Sequence, residues 1–267
     1  MIGAIIGDIV GSVYEFDRIK TKDFTLFGDY HGEKCGFTDD SVMTLAVAKA
    51  ILEARGDLTR LTETADEWMH ELGHRYPACD WGERFRTWLF CDDPVPYNSF
   101  GNGAAMRVSP AAWAAGSQEE ALAISDRVTE LTHNHPEGMK GARATTACIY
   151  LARNGASKEE IRDHVRRYYY PLDQTLDEIR PDYHFNETCQ ETVPQAIQAF
   201  LEAADFEDAI RNAVSLGGDS DTLAAVTGGI AEAFFGVPED LRRRTEAYLP
   251  PDLKEILTAF EKRYGKR

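Results

Sequence analysis

Apolar positions recur with a period near 3.6 residues from one end of the chain to the other, while alternating runs of β-branched residues closed by Asn-Gly turns are nearly absent. The pattern predicts an all-α protein. Two helix starts are written as capping boxes: Ser117-Gln-Glu-Glu120 opens a helix to about Leu131, and Ser157-Lys-Glu-Glu160 opens another to about Tyr168. Further helices fall near 1–14, 38–54, 59–73, 104–115, 138–153, 187–203, 206–215, 221–235 and 252–264. No repeat, low-complexity tract or long Gly/Ser/Pro linker divides them, so the reading is one compact orthogonal multi-helix bundle, a single domain over 1–267.

Three of these stretches, 1–13, 42–52 and 223–235, are apolar on every face, which predicts helices in the middle of the protein. In the first, Gly3, Gly7 and Gly11 recur every four residues and leave one face bare, so that a neighbouring backbone can come close.

Composition narrows the partners. With 267 residues, 43% of them hydrophobic, the chain can bury a large core, and disorder is excluded for most of it. A net charge of −16 argues against a general nucleic-acid surface and against adhesion to anionic membranes. A phosphorylated ligand is still compatible where divalent cations or helix N-termini screen the charge, and a modified nucleic-acid terminus stays open as a substrate. Cys35, Cys79, Cys91, Cys148 and Cys189 form no CxxC pair and read as reduced thiols. The apolar N-terminal stretch lacks a basic segment, carries Asp8 and is too short to span a bilayer, so a cytoplasmic location is expected.

The candidate chemistry stands at the entrances of two of the buried helices. Gly36-Phe37-Thr38-Asp39-Asp40-Ser41 precedes one, and Gly217-Gly218-Asp219-Ser220-Asp221-Thr222 precedes another. Each alone serves as a helix cap, but a cap needs one oxygen. Four carboxylates and two threonine hydroxyls at buried sites would be very costly without cations. Thr38, Asp39, Asp40, Asp219, Asp221 and Thr222 are therefore expected to converge on divalent metal. All are hard oxygen donors, which selects Mg²⁺ or Mn²⁺ over Zn²⁺, and six such ligands suit a binuclear site.

At this point the sequence resembles the ADP-ribosylglycohydrolase family. The resemblance runs through Gly7-Asp8-Ile9-Val10-Gly11 with Tyr14-Glu15, Phe37-Thr38-Asp39-Asp40, Gly101-Asn102-Gly103-Ala104-Ala105-Met106-Arg107, Thr132-His133 and Gly217-Gly218-Asp219-Ser220-Asp221-Thr222. It implies an all-α fold, two Mg²⁺ or Mn²⁺ ions, and hydrolysis of the bond between ADP-ribose and an acceptor. The acceptor would be a protein side chain or a small ADP-ribosyl conjugate, with free ADP-ribose as product. By position, Thr38, Asp39, Asp40, Asp219, Asp221 and Thr222 match the family's metal ligands, with Asp39 and Asp219 also counted as catalytic. Glu15 matches a glutamate near the scissile bond. Ser99, Phe100, Gly101, Asn102 and Gly103 match the loop that cradles diphosphate and ribose, and Phe100 and His133 match rings that flank the adenine. The equivalent of Ser99 is acidic in nitrogenase-regulating members, which leans this chain towards the serine-type branch; the loop from Arg18 to Cys35 leaves the acceptor open. Outside the motifs, Glu15 reads as a surface acid, Asn102 as a turn residue, and His133 as a core or cap histidine. Asp8 reads either as a support behind the site or as a buried hydrogen-bond acceptor.

Two other functional classes compete. One is a catalytically silent ADP-ribose-binding module. The other is a zinc metalloprotease, from His70-Glu71-Leu72-Gly73-His74, which fits HExxH, with Asp92 or Asp93 as the third ligand.

Overall fold

The structure is a computed structural model that describes residues 1–16 and 18–265; Asp17 and residues 266–267, which the expected domain includes, lie outside the described residues. The described residues are mainly α-helical. Its strands among the described residues are a two-residue antiparallel pair, Asp29–Tyr30 with Glu33–Lys34, and the turn between them places His31 and Gly32 at positive φ.

The helix Ile2–Gly11 is buried along its whole length and forms the most extensive helix pair of the fold with Ser220–Phe235. The glycine face explains the closeness. A Cβ on Gly3 would lie 2.3 Å from the Gly228 carbonyl oxygen, on Gly7 1.9 Å from that of Ala224, and on Gly11 2.5 Å from that of Ser220. The two backbones touch, and no side chain fits between them. Gly7→Ala should therefore destabilise the protein by about 3 kcal/mol, the upper range for an overpacked core, read as a lower denaturation midpoint. An unchanged midpoint would refute the packing account.

Asp39–Ala54 is the next buried helix. It packs on Leu58–Arg75, on Pro251–Tyr264 and on Ile2–Gly11, and it ends where Arg55 and Gly56 turn left-handed. Gln118–Thr129, Pro136–Arg153, Lys158–Tyr168, Cys189–Glu202 and Phe206–Val214 also follow the apolar periodicity closely. One core runs from Met1 to Phe260.

The structure departs from the expected elements in a few places. The stretch expected as one helix over 104–115 is two, Gly103–Met106 and Ser109–Ala114, because Pro110 sits at the start of the second and cannot continue the first. Glu83–Leu89, Leu176–Ile179 and Glu239–Tyr248 are helices the periodicity missed, being short or largely charged. Of the two capping boxes, Ser157 and Glu160 close theirs reciprocally. Ser117 accepts from the Glu120 amide, but the Glu120 carboxylate takes the Gly116 amide at 2.7 Å instead of closing the box.

Candidate active site

Two devices bring the helix entrances together. Gly217 and Gly218 have φ of +71° and +70°, a left-handed pair that swings the chain into the Ser220–Phe235 helix and aims Asp219, Asp221 and Thr222 inward. The Gly218 carbonyl accepts from the Phe16 amide at 2.9 Å, which holds Glu15 over the same space. The second device is Asp8, fully buried on the first helix. Its carboxylate accepts the backbone N–H groups of Thr38 (3.0 Å) and Ser41 (3.1 Å), the Thr38 hydroxyl (2.7 Å) and the Ser41 hydroxyl. Both readings of Asp8 hold at once: it is a satisfied buried acceptor, and it fixes the entrance that carries Thr38, Asp39 and Asp40.

The expected ligands meet across the two entrances. The Thr222 hydroxyl donates to Asp40 Oδ2 at 3.1 Å, and Thr38 Oγ1 lies 3.4 Å from Asp221 Oδ2. Carboxylate oxygens of Glu15, Asp219 and Asp221 lie within 4.8 Å of one another. The electrostatic consequence is severe. Burial and then the Asp8 and Asp219 carboxylates push Asp39 up to about 8; burial and then Asp219 and Asp39 push Glu15 to about 8. Asp40 and Asp221 are raised well above the usual carboxylate range, burial being the first cause. Asp40 Oδ1 is buried with no hydrogen-bond partner. Hard oxygens, an orphaned buried carboxylate oxygen and mutually repelling acids are the features a divalent cation satisfies, so this donor set fits one.

Glu15, Asp39, Asp40, Asp219, Asp221 and Thr222 line a cavity of about 400 Å³ together with Ser99, Gly101, Asn102, Gly103 and His133. The loop is held from beneath by Arg107, which is 1% exposed, donates to the Gly103 carbonyl and lies 3.2 Å from His133 Nδ1. Gly101 and Gly103 face His133, where a Cβ on Gly103 would come to 3.2 Å from Nε2. Ser99 accepts the Gly101 amide at 3.1 Å, a contact that shapes the loop. Asn102 does more than turn the chain: its Nδ2 donates to Asp219 Oδ2 at 2.7 Å and to Thr192 Oγ1 at 3.1 Å, joining the loop to the acids.

The two expected adenine-flanking rings are not each other's neighbours. Phe100, 40% exposed, packs against His135, whereas His133 is buried beside Tyr97, its protonation strongly disfavoured by burial and by Arg107 and Arg84. Sequence reasoning passed over Phe16, Arg84, Tyr97, Phe185 and Glu187, all on the cavity wall; Arg84 belongs to a helix the periodicity missed.

The HExxH reading does not survive. His74 Nε2 is 2.8 Å from the Leu89 carbonyl, His70 Nδ1 is 2.9 Å from that of Asp66, and the His70 ring packs on Trp88. These histidines pack the surface of a helix, and among the described residues the acidic group around Glu15, Asp219 and Asp221 is the one cluster suited to a metal.

The family follows from comparison with known proteins. The model of the ADP-ribosylglycohydrolase family matches residues 1–266, and the chain belongs to that family. Hydrolytic release of ADP-ribose from an acceptor, the activity expected from the motifs, is the one this membership carries. ADP-ribosylarginine hydrolase Tri1 of Serratia proteamaculans is 27% identical, over 88% of this chain and 70% of that protein. ADP-ribosylhydrolase ARH3 of Homo sapiens is 26% identical, over 95% and 90% respectively. A solved structure described as an ADP-ribosylglycohydrolase-related protein complex shares the fold with a TM-score of 0.70 at 23% identity, covering 98% of this chain and 95% of that one.

Proposed function

We propose that this chain, acting as one domain over 1–267 in the cytoplasm, is a divalent-cation-dependent hydrolase that frees ADP-ribose from a protein side chain, serine first among those to test, or from a small conjugate. The observation that carries the reading is the meeting of Glu15 with Asp39, Asp40, Asp219, Asp221 and Thr222 of two helix entrances on one cavity, beside a glycine loop, with Asp40 Oδ1 left unpartnered. All five cysteines are unpaired, which supports a reducing compartment. No helix among the described residues is long and apolar enough to cross a membrane.

Thr38, Asp39, Asp40, Asp219, Asp221 and Thr222 would hold two Mg²⁺ or Mn²⁺ ions. Bound there, the ions supply Lewis acidity and grip for the ribose hydroxyls. Glu15, beside Asp219 and Asp221 on the lining of the same cavity, hands a proton to the departing group or positions it. The carboxylates of Asp39 and Asp219 face the positive charge that develops on an oxocarbenium-like ribose. Asn102 fixes Asp219, and Ser99, Phe100, Gly101, Gly103 and His133 take the nucleotide end.

The test is mass-spectrometric detection of ADP-ribose released from serine-linked, arginine-linked and O-acetyl-linked substrates, with Mg²⁺ or with chelator. Release from one of them that needs Mg²⁺ is the expected result. Glu15→Gln should then lower kcat by about 10²–10⁴-fold, the usual contribution of a general acid, with ADP-ribose affinity nearly unchanged. Tight ADP-ribose binding with no release from any linkage would make the protein a binding module.

A further inference from the structure

We infer that Arg84 is the residue that binds the diphosphate of the nucleotide, an assignment that rests on the functional reading above. The cavity wall carries eight carboxylate residues and two arginines. One of those arginines, Arg107, is buried and spent on the Gly103 carbonyl, Thr132 and His133. Arg84 is therefore the exposed cation of the wall among the described residues. The proposed ions would offset the acids around Glu15, Asp39, Asp40, Asp219 and Asp221, but Asp80, Glu83 and Glu187 remain on the wall, so a diphosphate is favoured where a cation stands beside them.

Position points the same way. A shallower groove continues from the cavity past Phe185 to Phe100, and Arg84, Ser99, Gly101 and Glu187 line both. The acids lie on one side of this junction and the exposed Phe100 ring on the other. In ADP-ribose the diphosphate joins the reacting ribose to the adenosine, so with the ribose at the acids and the adenine towards Phe100 it falls at the junction. The guanidinium is held in place: it lies 4.9 Å from the centre of the Tyr97 ring and donates to the Tyr97 carbonyl. A planar fork held on an aromatic face retains donors for two phosphate oxygens at little cost in side-chain entropy. Glu187, the acid of the junction, has its carboxyl raised by burial and by Asp219, which eases its place beside an anion.

The experiment compares binding of ADP-ribose and of adenosine to the Mg²⁺-loaded protein by calorimetry, in wild type, Arg84→Gln and Arg84→Lys. Arg84→Gln should weaken ADP-ribose about tenfold to a hundredfold, the range for a lost charge-assisted hydrogen bond, and leave adenosine nearly unchanged. Arg84→Lys should restore part of the loss, and the wild-type affinity for ADP-ribose should fall more steeply with salt than that of Arg84→Gln. Loss of the same factor for both ligands, or no loss for ADP-ribose, overturns the inference while the hydrolase reading stands. A wild-type protein that does not prefer ADP-ribose to adenosine overturns both.

Discussion

Replacing Asp219 by alanine lowers turnover by at least about a thousandfold and leaves the fold standing. Asp219 takes the Asn102 amide at 2.7 Å and shares the tightest acidic group with Glu15 and Asp221, so its loss strips a ligand from the proposed cation site and releases the loop at once. The fold should persist because the Asp219 side chain makes no capping bond to the helix it precedes. Steady-state release of ADP-ribose, with circular dichroism on the same sample, checks both halves. Turnover within tenfold of wild type, to order of magnitude, would remove Asp219 from the machinery.

The second large effect concerns stability. Without cations, Asp8, Asp39 and Glu15 hold their protons up to about 6, 8 and 8, well above the values of 3.8, 3.8 and 4.5 they have when exposed. Raised carboxyl values mean that the folded state binds protons the unfolded chain has already released. Their stabilising share is thus complete below about pH 4 and is lost as pH rises towards 8, by up to about 1.4 kcal/mol per pH unit for each group in its window. Chelated protein should accordingly melt at least about 10 °C lower at pH 8 than at pH 5. Cations at the proposed site would oppose the trend, because they would replace protons on the acids that hold them. Mg²⁺ at a hundred to a thousand times its dissociation constant would add about 2.7–4.1 kcal/mol and should remove part of the difference at pH 8. Melting curves with chelator and with Mg²⁺ across this range decide it; a midpoint that ignores both pH and Mg²⁺ would contradict the cation assignment.

The legibility of these features in the sequence varied with the physics behind each. Buried helices announce themselves through continuous apolar composition, and the Gly3-Gly7-Gly11 spacing encodes a backbone contact directly, since nothing but hydrogen fits there. The six metal-type donors were legible because no ordinary cap needs so many acids. What the sequence hid was mutual position. That Phe100 faces His135, or that Asn102 ends on Asp219, depends on how loops from distant elements pack. Arg84 and Tyr97 carry no local signal at all, because an arginine beside a cavity is indistinguishable in sequence from one on any solvated helix. HExxH was a pattern without its geometry: His74 turns its Nε2 to the Leu89 carbonyl, and among the described residues no third acid or histidine joins the pair.

The pairing of Ile2–Gly11 with Ser220–Phe235 also governs when the site can exist during synthesis. Asp8 and Glu15 are made some two hundred residues before Asp219, Asp221 and Thr222, and the glycine face that seats one helix on the other has no partner until then. A nascent chain stalled before Asp219 has Asp8, Glu15, Asp39 and Asp40 but lacks Asp221 and the helix on which the first one seats. Assembly of the proposed cation site is thereby tied to synthesis of the Ser220–Phe235 helix.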